Sequence, residues 1–251
     1  MFALSDADLQ PRILGCADGP ASFNAESTRR GAAVISIDPL YRLETGTIRD
    51  RIAETYDQIL EQAQRNRQQF VWDTIQSVEE LGRIRMQTMQ VFLDDYDLGK
   101  PQGRYVDAEL PSLVFPDKSF DLALCSHFLF LYTEQLPLAF HQSAILELCR
   151  VAREVRIFPL LTIDGRSSPH VARIVDDLNG SWEVSLETVQ YEFQRGGDQM
   201  MRVRPLQSER VRRDRSGTND GVLGSYSLSK ASHLARSRGS VKPSKNSALG
   251  N

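Results

Sequence analysis

Two features near the N-terminus have the residue types and spacing to hold a nucleoside. The first is a run of small residues from Gly15 to Gly19, which follows a short apolar segment and lets the backbone approach a ligand closely. The second is Asp38, which follows the apolar segment 34–37, where a carboxylate can accept hydrogen bonds from ribose hydroxyls. The pattern therefore predicts a strand, turn, helix and strand unit that binds a nucleoside cofactor.

The residues inside the turn narrow the choice of cofactor. The dinucleotide pattern G-x-G-x-x-G sets a pyrophosphate on a helix N-terminus, whereas here Gly15, Ala17 and Gly19 are spaced by two, and Asp18 lies among them. We expect this carboxylate to repel phosphate and to suit a cation. S-adenosylmethionine has no phosphate, carries a sulfonium and an ammonium group, and can place its carboxylate at the helix N-terminus. The turn thus favours S-adenosylmethionine, and a nicotinamide oxidoreductase is the alternative enzyme.

Alternating strands and helices must position this unit. Strands are predicted at 13–16, 34–38, 104–107, 119–126 and 155–159, and helices at about 20–30, 142–153 and 169–178. This alternation predicts an α/β fold with a doubly wound, mostly parallel sheet. Segments 182–193 and 199–203 flank a turn at 195–198 and predict an antiparallel C-terminal hairpin.

A helical insertion is predicted between residues 45 and 100, after the second strand. Ligands of such sheets bind at the carboxyl ends of the strands, so this insertion is placed to cover a cofactor. The candidate residues for the wall of such a pocket are large and apolar: Phe70, Trp72, Met86, Met89 and Phe92. Ordinary packing between helices is the alternative role for each of them.

Taken together, these segments resemble the class I S-adenosylmethionine-dependent methyltransferases. Residues 13–19 resemble the first motif of that family, 34–38 its second strand, 105–127 its third and fourth strands, and 147–151 the helix before its fifth strand. The resemblance covers about residues 10–204 in order. It implies a seven-stranded Rossmann-like sheet and an enzyme that transfers a methyl group to an acceptor, which we expect to be a small molecule.

The resemblance also implies the residues that hold S-adenosylmethionine. The turn would contact the donor, Asp38 with the following Pro39 would hold the ribose, Asp107 and Ala108 would read the adenine, and Ser126 would lie beside the methyl donor. The turn residues are Gly15, Cys16, Ala17, Asp18 and Gly19. No catalytic residue is assigned; His127 is either a general base or a structural residue.

Departures from the family pattern leave a second hypothesis open. Ile13 stands where an acid is usual, Ala17 replaces the central glycine, and residues 152–154 replace a Pro-Gly-Gly before strand five. The first two are expected to weaken cofactor contacts. A non-catalytic module that binds S-adenosylmethionine, or that has a regulatory role, is therefore the alternative to an active enzyme.

The composition of the chain limits the classes of protein to which it can belong. The chain has 251 residues, a net charge of −3 and three cysteines without a C-x-x-C pair, so we expect a cytoplasmic protein without a disulfide framework or metal site. The longest apolar run, 120–132, is too short to span a bilayer.

Residues 1–205 are expected to form the methyltransferase-like domain. Residues 206–251 are basic and poor in apolar side chains, which predicts a disordered tail and leaves RNA methylation or RNA binding as a weaker alternative. The oligomeric state is not predicted. His141 and His170 are expected at the surface.

Overall fold

The computed structural model describes residues 1–206, and Met1–Pro205 fall in one compact unit. The predicted basic tail lies outside the described residues, except for Leu206. The helices and strands are β1 (Arg12–Cys16), α1 (Phe23–Arg29), β2 (Ala33–Ile37), α2 (Thr45–Arg65), α3 (Val78–Gly99), β3 (Tyr105–Val106), β4 (Phe120–Ser126), α4 (Leu138–Val151), β5 (Ala152–Phe158), α5 (His170–Leu178), β6 (Trp182–Thr188) and β7 (Gln199–Pro205).

The strands form one seven-stranded sheet in the order β3-β2-β1-β4-β5-β7-β6. Strands β1 to β5 are parallel, and β7 runs antiparallel to both β5 and β6. The sheet confirms the predicted α/β, doubly wound, Rossmann-like methyltransferase fold with an antiparallel C-terminal hairpin. The reversal of strand order between β1 and β4 creates the crevice at which such sheets bind ligands.

Side chains of β1 alternate between two apolar layers, as the two-residue period of a strand requires. Leu14 and Cys16 lie in the layer covered by α4, where Ile145 and Leu148 are fully buried. Ile13 lies in the opposite layer, which the N-terminal residue Phe2 closes. Because both faces are covered, the central strands are apolar and buried on both sides, as their sequence predicts.

The predicted insertion consists of α2, α3 and the loop 66–77 between them. Its second helix begins at Val78, because the hydroxyl of Ser77 accepts a hydrogen bond from the Glu80 N–H and caps the helix there. Apolar residues at positions 71, 75, 78 and 81 predict that this helix begins at Val71, but the structure places residues 71–77 in the loop. Within residues 1–206, none of the helices is long and apolar enough to cross a membrane.

The hairpin also differs from its prediction. Strand β6 ends at Thr188, five residues before the predicted end at Phe193. The intervening segment leaves the sheet because Phe193 stacks on Phe70 of the insertion, with 4.9 Å between the ring centroids. A contact with a segment more than a hundred residues away thus overrides the local strand preference of residues 189–193.

Candidate nucleoside-binding site

Four neighbouring strands end at the same level, which brings the predicted site residues together. Cys16 is in register with Ile37 on one side and with Cys125 on the other, and Ile37 is in register with Val106. The residues that follow these positions therefore lie side by side at the carboxyl edge of the sheet. They are Ala17, Asp38, Asp107 and Ser126.

The turn after β1 has the backbone conformation that its small residues predict. Ala17 adopts a left-handed φ of 56° and Gly19 one of 57°. The Ala17 N–H donates to the carbonyl of Ile37 at 2.8 Å, so the start of the turn is fixed to the end of β2. Alanine replaces a glycine of the family pattern here and still takes the left-handed conformation, at a modest energetic cost.

Asp38 holds the turn from the other side. One carboxylate oxygen accepts the Gly19 N–H at 3.0 Å, and the other accepts the Leu40 N–H at 2.7 Å. The Tyr41 hydroxyl donates to the Gly19 carbonyl at 2.8 Å and completes this clamp. Burial raises the pKa of Asp38, and the nearby Asp107 adds to the rise, whereas the two backbone hydrogen bonds oppose it. Pro39 begins the short 3-10 helix 39–42 that follows.

The Asp18 carboxylate is buried and hydrogen-bonded within the protein, so it is not exposed to make direct contact with a cationic ligand. Only 8% of the residue is exposed, and its carboxylate accepts a hydrogen bond from the Ser36 hydroxyl at 2.5 Å. The carboxylate fills the space beside the Cα of Gly15, where a β-carbon would collide with it. Burial raises the pKa of Asp18 to about 7, although the hydrogen bond from Ser36 opposes the rise.

The two residues expected to read adenine lie at the open end of the site. The Asp107 side chain is 51% exposed and lies 3.8 Å from the Arg42 guanidinium. Ala108 is half-buried and packs against the layer under α4. The Asp107 carboxylate is therefore accessible, and Arg42 is positioned to orient it.

Ser126 and His127 form a polar pair at the end of β4. The Ser126 Oγ lies 2.8 Å from the His127 Nδ1, and the His127 N–H donates to the Phe158 carbonyl. The His127 ring packs edge-on against Phe158, and its backbone has a left-handed φ of 49°. Burial lowers the pKa of His127 to about 4, with a further contribution from the charge of Arg85. The imidazole is therefore neutral near pH 7 and a weak base.

The cysteines at this edge are core residues. Cys16 and Cys125 are fully buried; burial raises the pKa of the Cys125 thiol to about 12 and also raises the pKa of the Cys16 thiol. Both thiols therefore stay protonated, as expected of small apolar residues. Because the Cys16 side chain lies in the core, this residue can offer a ligand only its backbone.

The insertion reaches across the carboxyl edge and is fixed at its far end. Its loop joins the β6–β7 loop through two backbone hydrogen bonds, from the Val71 N–H to the Phe193 carbonyl at 2.7 Å and from the Arg195 N–H to the Gln69 carbonyl at 2.8 Å. Trp72 packs edge-on against Phe193. We call this contact between the two loops the latch.

The five candidate residues for the pocket wall lie in three different environments. Phe70 and Trp72 belong to the latch. Met89 and Phe92 are buried in a third apolar cluster around Tyr41, so helix packing accounts for them. Met86 is 37% exposed.

Sequence reasoning missed Asn24 and Ser36, which lie directly behind the turn, and misplaced His141. The Asn24 amide donates to the Ser36 hydroxyl at 3.1 Å, and both residues are 1% exposed. The available signal was a serine inside the apolar strand 33–37. His141, expected at the surface, is fully buried, with ring nitrogens 2.8 Å from the Leu129 carbonyl and 3.1 Å from the Pro137 carbonyl.

No protein-family profile matches the chain. It is 32% identical over 206 residues to the uncharacterized protein MJ0045 of Methanocaldococcus jannaschii, a match that covers 81% of this chain and 90% of the relative. The chain belongs to the same family as this archaeal protein.

The solved structures that are similar to this chain share little sequence identity with it. The PH0226 protein from Pyrococcus horikoshii is 10% identical, covers 78% of this chain and 82% of its own, and gives a TM-score of 0.43. Magnesium protoporphyrin IX methyltransferase from Synechocystis, solved with bound SAM, is 11% identical over 79% of this chain and 72% of its own, with a TM-score of 0.39. A SAM-dependent methyltransferase from Aquifex aeolicus is 13% identical over 78% and 82%, with a TM-score of 0.39. The fold assignment rests on the sheet order and strand directions described above.

Proposed function

We propose that this protein is an S-adenosylmethionine-dependent methyltransferase. The observation that carries the proposal is the level arrangement of Ala17, Asp38, Asp107 and Ser126 on four adjacent strand ends. This edge lies where the strand order reverses, which is the ligand-binding position of doubly wound sheets.

The residues at this edge fit a nucleoside with a charged amino-acid portion. A carboxylate has about four lone-pair positions that can accept hydrogen bonds. Asp38 uses two of them to accept backbone N–H groups, so it can also accept hydrogen bonds from ribose hydroxyls. We assign the adenine amino group to Asp107 and Ala108, the ribose to Asp38 with Pro39, and the amino-acid portion to the backbone of residues 15–19 and to Ser126. When bound, the donor supplies an electrophilic methyl group.

The side chains around this site act mainly by positioning and by excluding water. The insertion lies over the carboxyl edge and is held there by the latch, which favours a small-molecule acceptor over a folded macromolecule. His127 has a neutral imidazole and a low pKa, so it contributes little as a general base. The acceptor is therefore expected to be nucleophilic without proton removal by this histidine.

Calorimetry with the full chain tests the binding part of the proposal. We expect S-adenosylmethionine and its demethylated product to bind, and Asp38→Asn to weaken both. Transfer of a radiolabelled methyl group into a fraction of cell extract tests catalysis. Absence of binding for both ligands would contradict the proposal, whereas binding without any transfer would support a non-catalytic module.

The non-catalytic module remains a second candidate because of Ile13. Its side chain is fully buried in the layer opposite α4, so it offers no group to the donor. Ile13→Asp would bury an uncompensated charge and destabilise the fold, so it cannot restore the missing contact. The transfer assay, with the unchanged chain, therefore discriminates between the two candidates.

A further inference from the structure

A chain of buried and partly buried polar side chains runs from α3 to the back of the turn. Asp95 forms a two-point ion pair with Arg104, at 2.6 and 3.0 Å. Arg104 donates to the side-chain carbonyl of Asn24 at 2.8 Å, and the Asn24 amide donates to the Ser36 hydroxyl. Because the Ser36 oxygen accepts this bond, its own proton is directed to Asp18. We call these five residues the polar relay.

The polar relay ends at the carboxyl group of Asp18, whose ionisation is favoured by one contact and opposed by others. Ser36 offers it one hydrogen bond, which favours the ionised form, while burial and the neighbouring Asp38 oppose ionisation. The other titratable groups facing it are the thiols of Cys16 and Cys125 and the phenol of Tyr41, and burial raises the pKa of each, so they are neutral. The described groups nearest to Asp18 therefore include no cation that would fix its charge.

The position of Asp18 determines which ligand its negative charge would attract. The carboxylate lies beside the Cα of Gly15, directly behind the backbone that we assign to the amino-acid portion of the donor. S-adenosylmethionine carries a sulfonium there and has a net charge of +1, whereas the demethylated product, S-adenosylhomocysteine, has lost that charge and is neutral overall. A carboxylate behind the turn therefore attracts the donor more than the product.

We propose that Asp18 is a positioning residue that releases a proton when the cationic donor binds, and that it thereby favours the donor over the neutral product. This inference rests on the proposed function. The carboxylic acid loses its proton to solvent, and the resulting carboxylate stays buried behind the turn, where its charge would attract a bound cation. No bond to the donor forms. Since one proton is released, the preference for the donor should rise with pH by up to about tenfold per pH unit until Asp18 is ionised in the free protein.

Calorimetry across pH tests this inference. Affinities of the full chain for S-adenosylmethionine and S-adenosylhomocysteine are measured from about pH 5 to about pH 7.5, in buffers of different ionisation enthalpy so that proton release is counted. We expect the ratio of donor to product affinity to rise towards pH 7 and then to level off. In Asp18→Asn, which keeps the hydrogen-bond acceptor and loses the charge, this ratio should be independent of pH.

Ser36→Ala serves as a second variant, because it keeps the carboxyl group and removes its donor. We expect the rise in the ratio to move to higher pH, since the ionised form has lost a hydrogen bond. A ratio independent of pH in the unchanged chain, with both ligands bound, would overturn the inference and leave the proposed function intact. An unaltered pH dependence in both variants would also overturn it, because Asp38 would then be the responsible group. Binding of neither ligand at any pH would instead refute the proposed function.

Discussion

Replacement of Asp18 by asparagine should stabilise the protein at alkaline pH and have little effect at acidic pH. The folded protein holds the proton of this carboxyl group up to about pH 7, whereas the ordinary value is 3.8. Between these two values the folded state carries a proton that the unfolded state has lost, so the free energy of unfolding falls as pH rises. Asparagine has the same shape and no charge to bury.

The size of the effect follows from the two pKa values. They differ by about 3, and each pKa unit corresponds to about 1.4 kcal/mol, so full ionisation costs about 4 kcal/mol of stability. This value is a maximum, because the asparagine amide must itself find a partner beside Ser36. We expect Asp18→Asn to raise the free energy of unfolding by about 2–4 kcal/mol near pH 8 and by less than about 0.5 kcal/mol near pH 4.

Urea denaturation of both proteins at these two pH values measures the difference. Asp73→Asn is a matched control, because Asp73 is an exposed carboxylate in the loop of the insertion and its removal changes the net charge equally. We expect that control to change stability by less than about 0.5 kcal/mol at either pH. A difference between Asp18→Asn and the unchanged chain that is the same at both pH values would refute the assignment of a buried, protonated Asp18.

Three further outcomes are expected. Asp38→Ala should weaken binding of S-adenosylmethionine by about 1–3 kcal/mol in calorimetry, because hydrogen bonds to a charged group are lost; unchanged affinity would remove Asp38 from the site. Gly15→Ala should lower the free energy of unfolding measured in urea by about 1–3 kcal/mol through collision with the Asp18 carboxylate, and adding Asp18→Ala should recover most of that loss. Phe193→Ala should expose amides 69–71 to faster hydrogen exchange, since the latch loses its stacked ring; unchanged protection would show that the backbone bonds suffice.

The periodicity of apolar residues predicted the fold because it indicates which side chains are buried. In a parallel sheet the burial of a strand depends little on the identity of individual residues. The apolar segment at β4 and the carboxylate after β2 are placed correctly by that rule alone. It fails where a distant segment decides the local structure. Residues 189–193 look like strand and leave the sheet to meet the insertion, which no local pattern encodes.

The direction of the Asp18 side chain could not be predicted for a related reason. A carboxylate in a turn can face the ligand or the core, and here the choice depends on three separate sequence positions. Gly15 leaves the space, Ser36 offers the hydrogen bond, and Asn24 orients Ser36. Each of these residues has an ordinary explanation when considered alone, and only the structure brings them together.

The latch also links the length of the insertion to the width of the sheet. Helix α2 has 21 residues, which corresponds to about 31 Å, and it lies between β2 and the loop 66–77 that is bonded to the β6–β7 loop. Five strand spacings separate these strands, or about 24 Å. Loss of a single helical turn would shorten the insertion by about 5 Å and draw Phe70 away from Phe193. Insertions and deletions in α2 should therefore be tolerated only together with changes in the β6–β7 loop, so that the two segments vary in length as a pair.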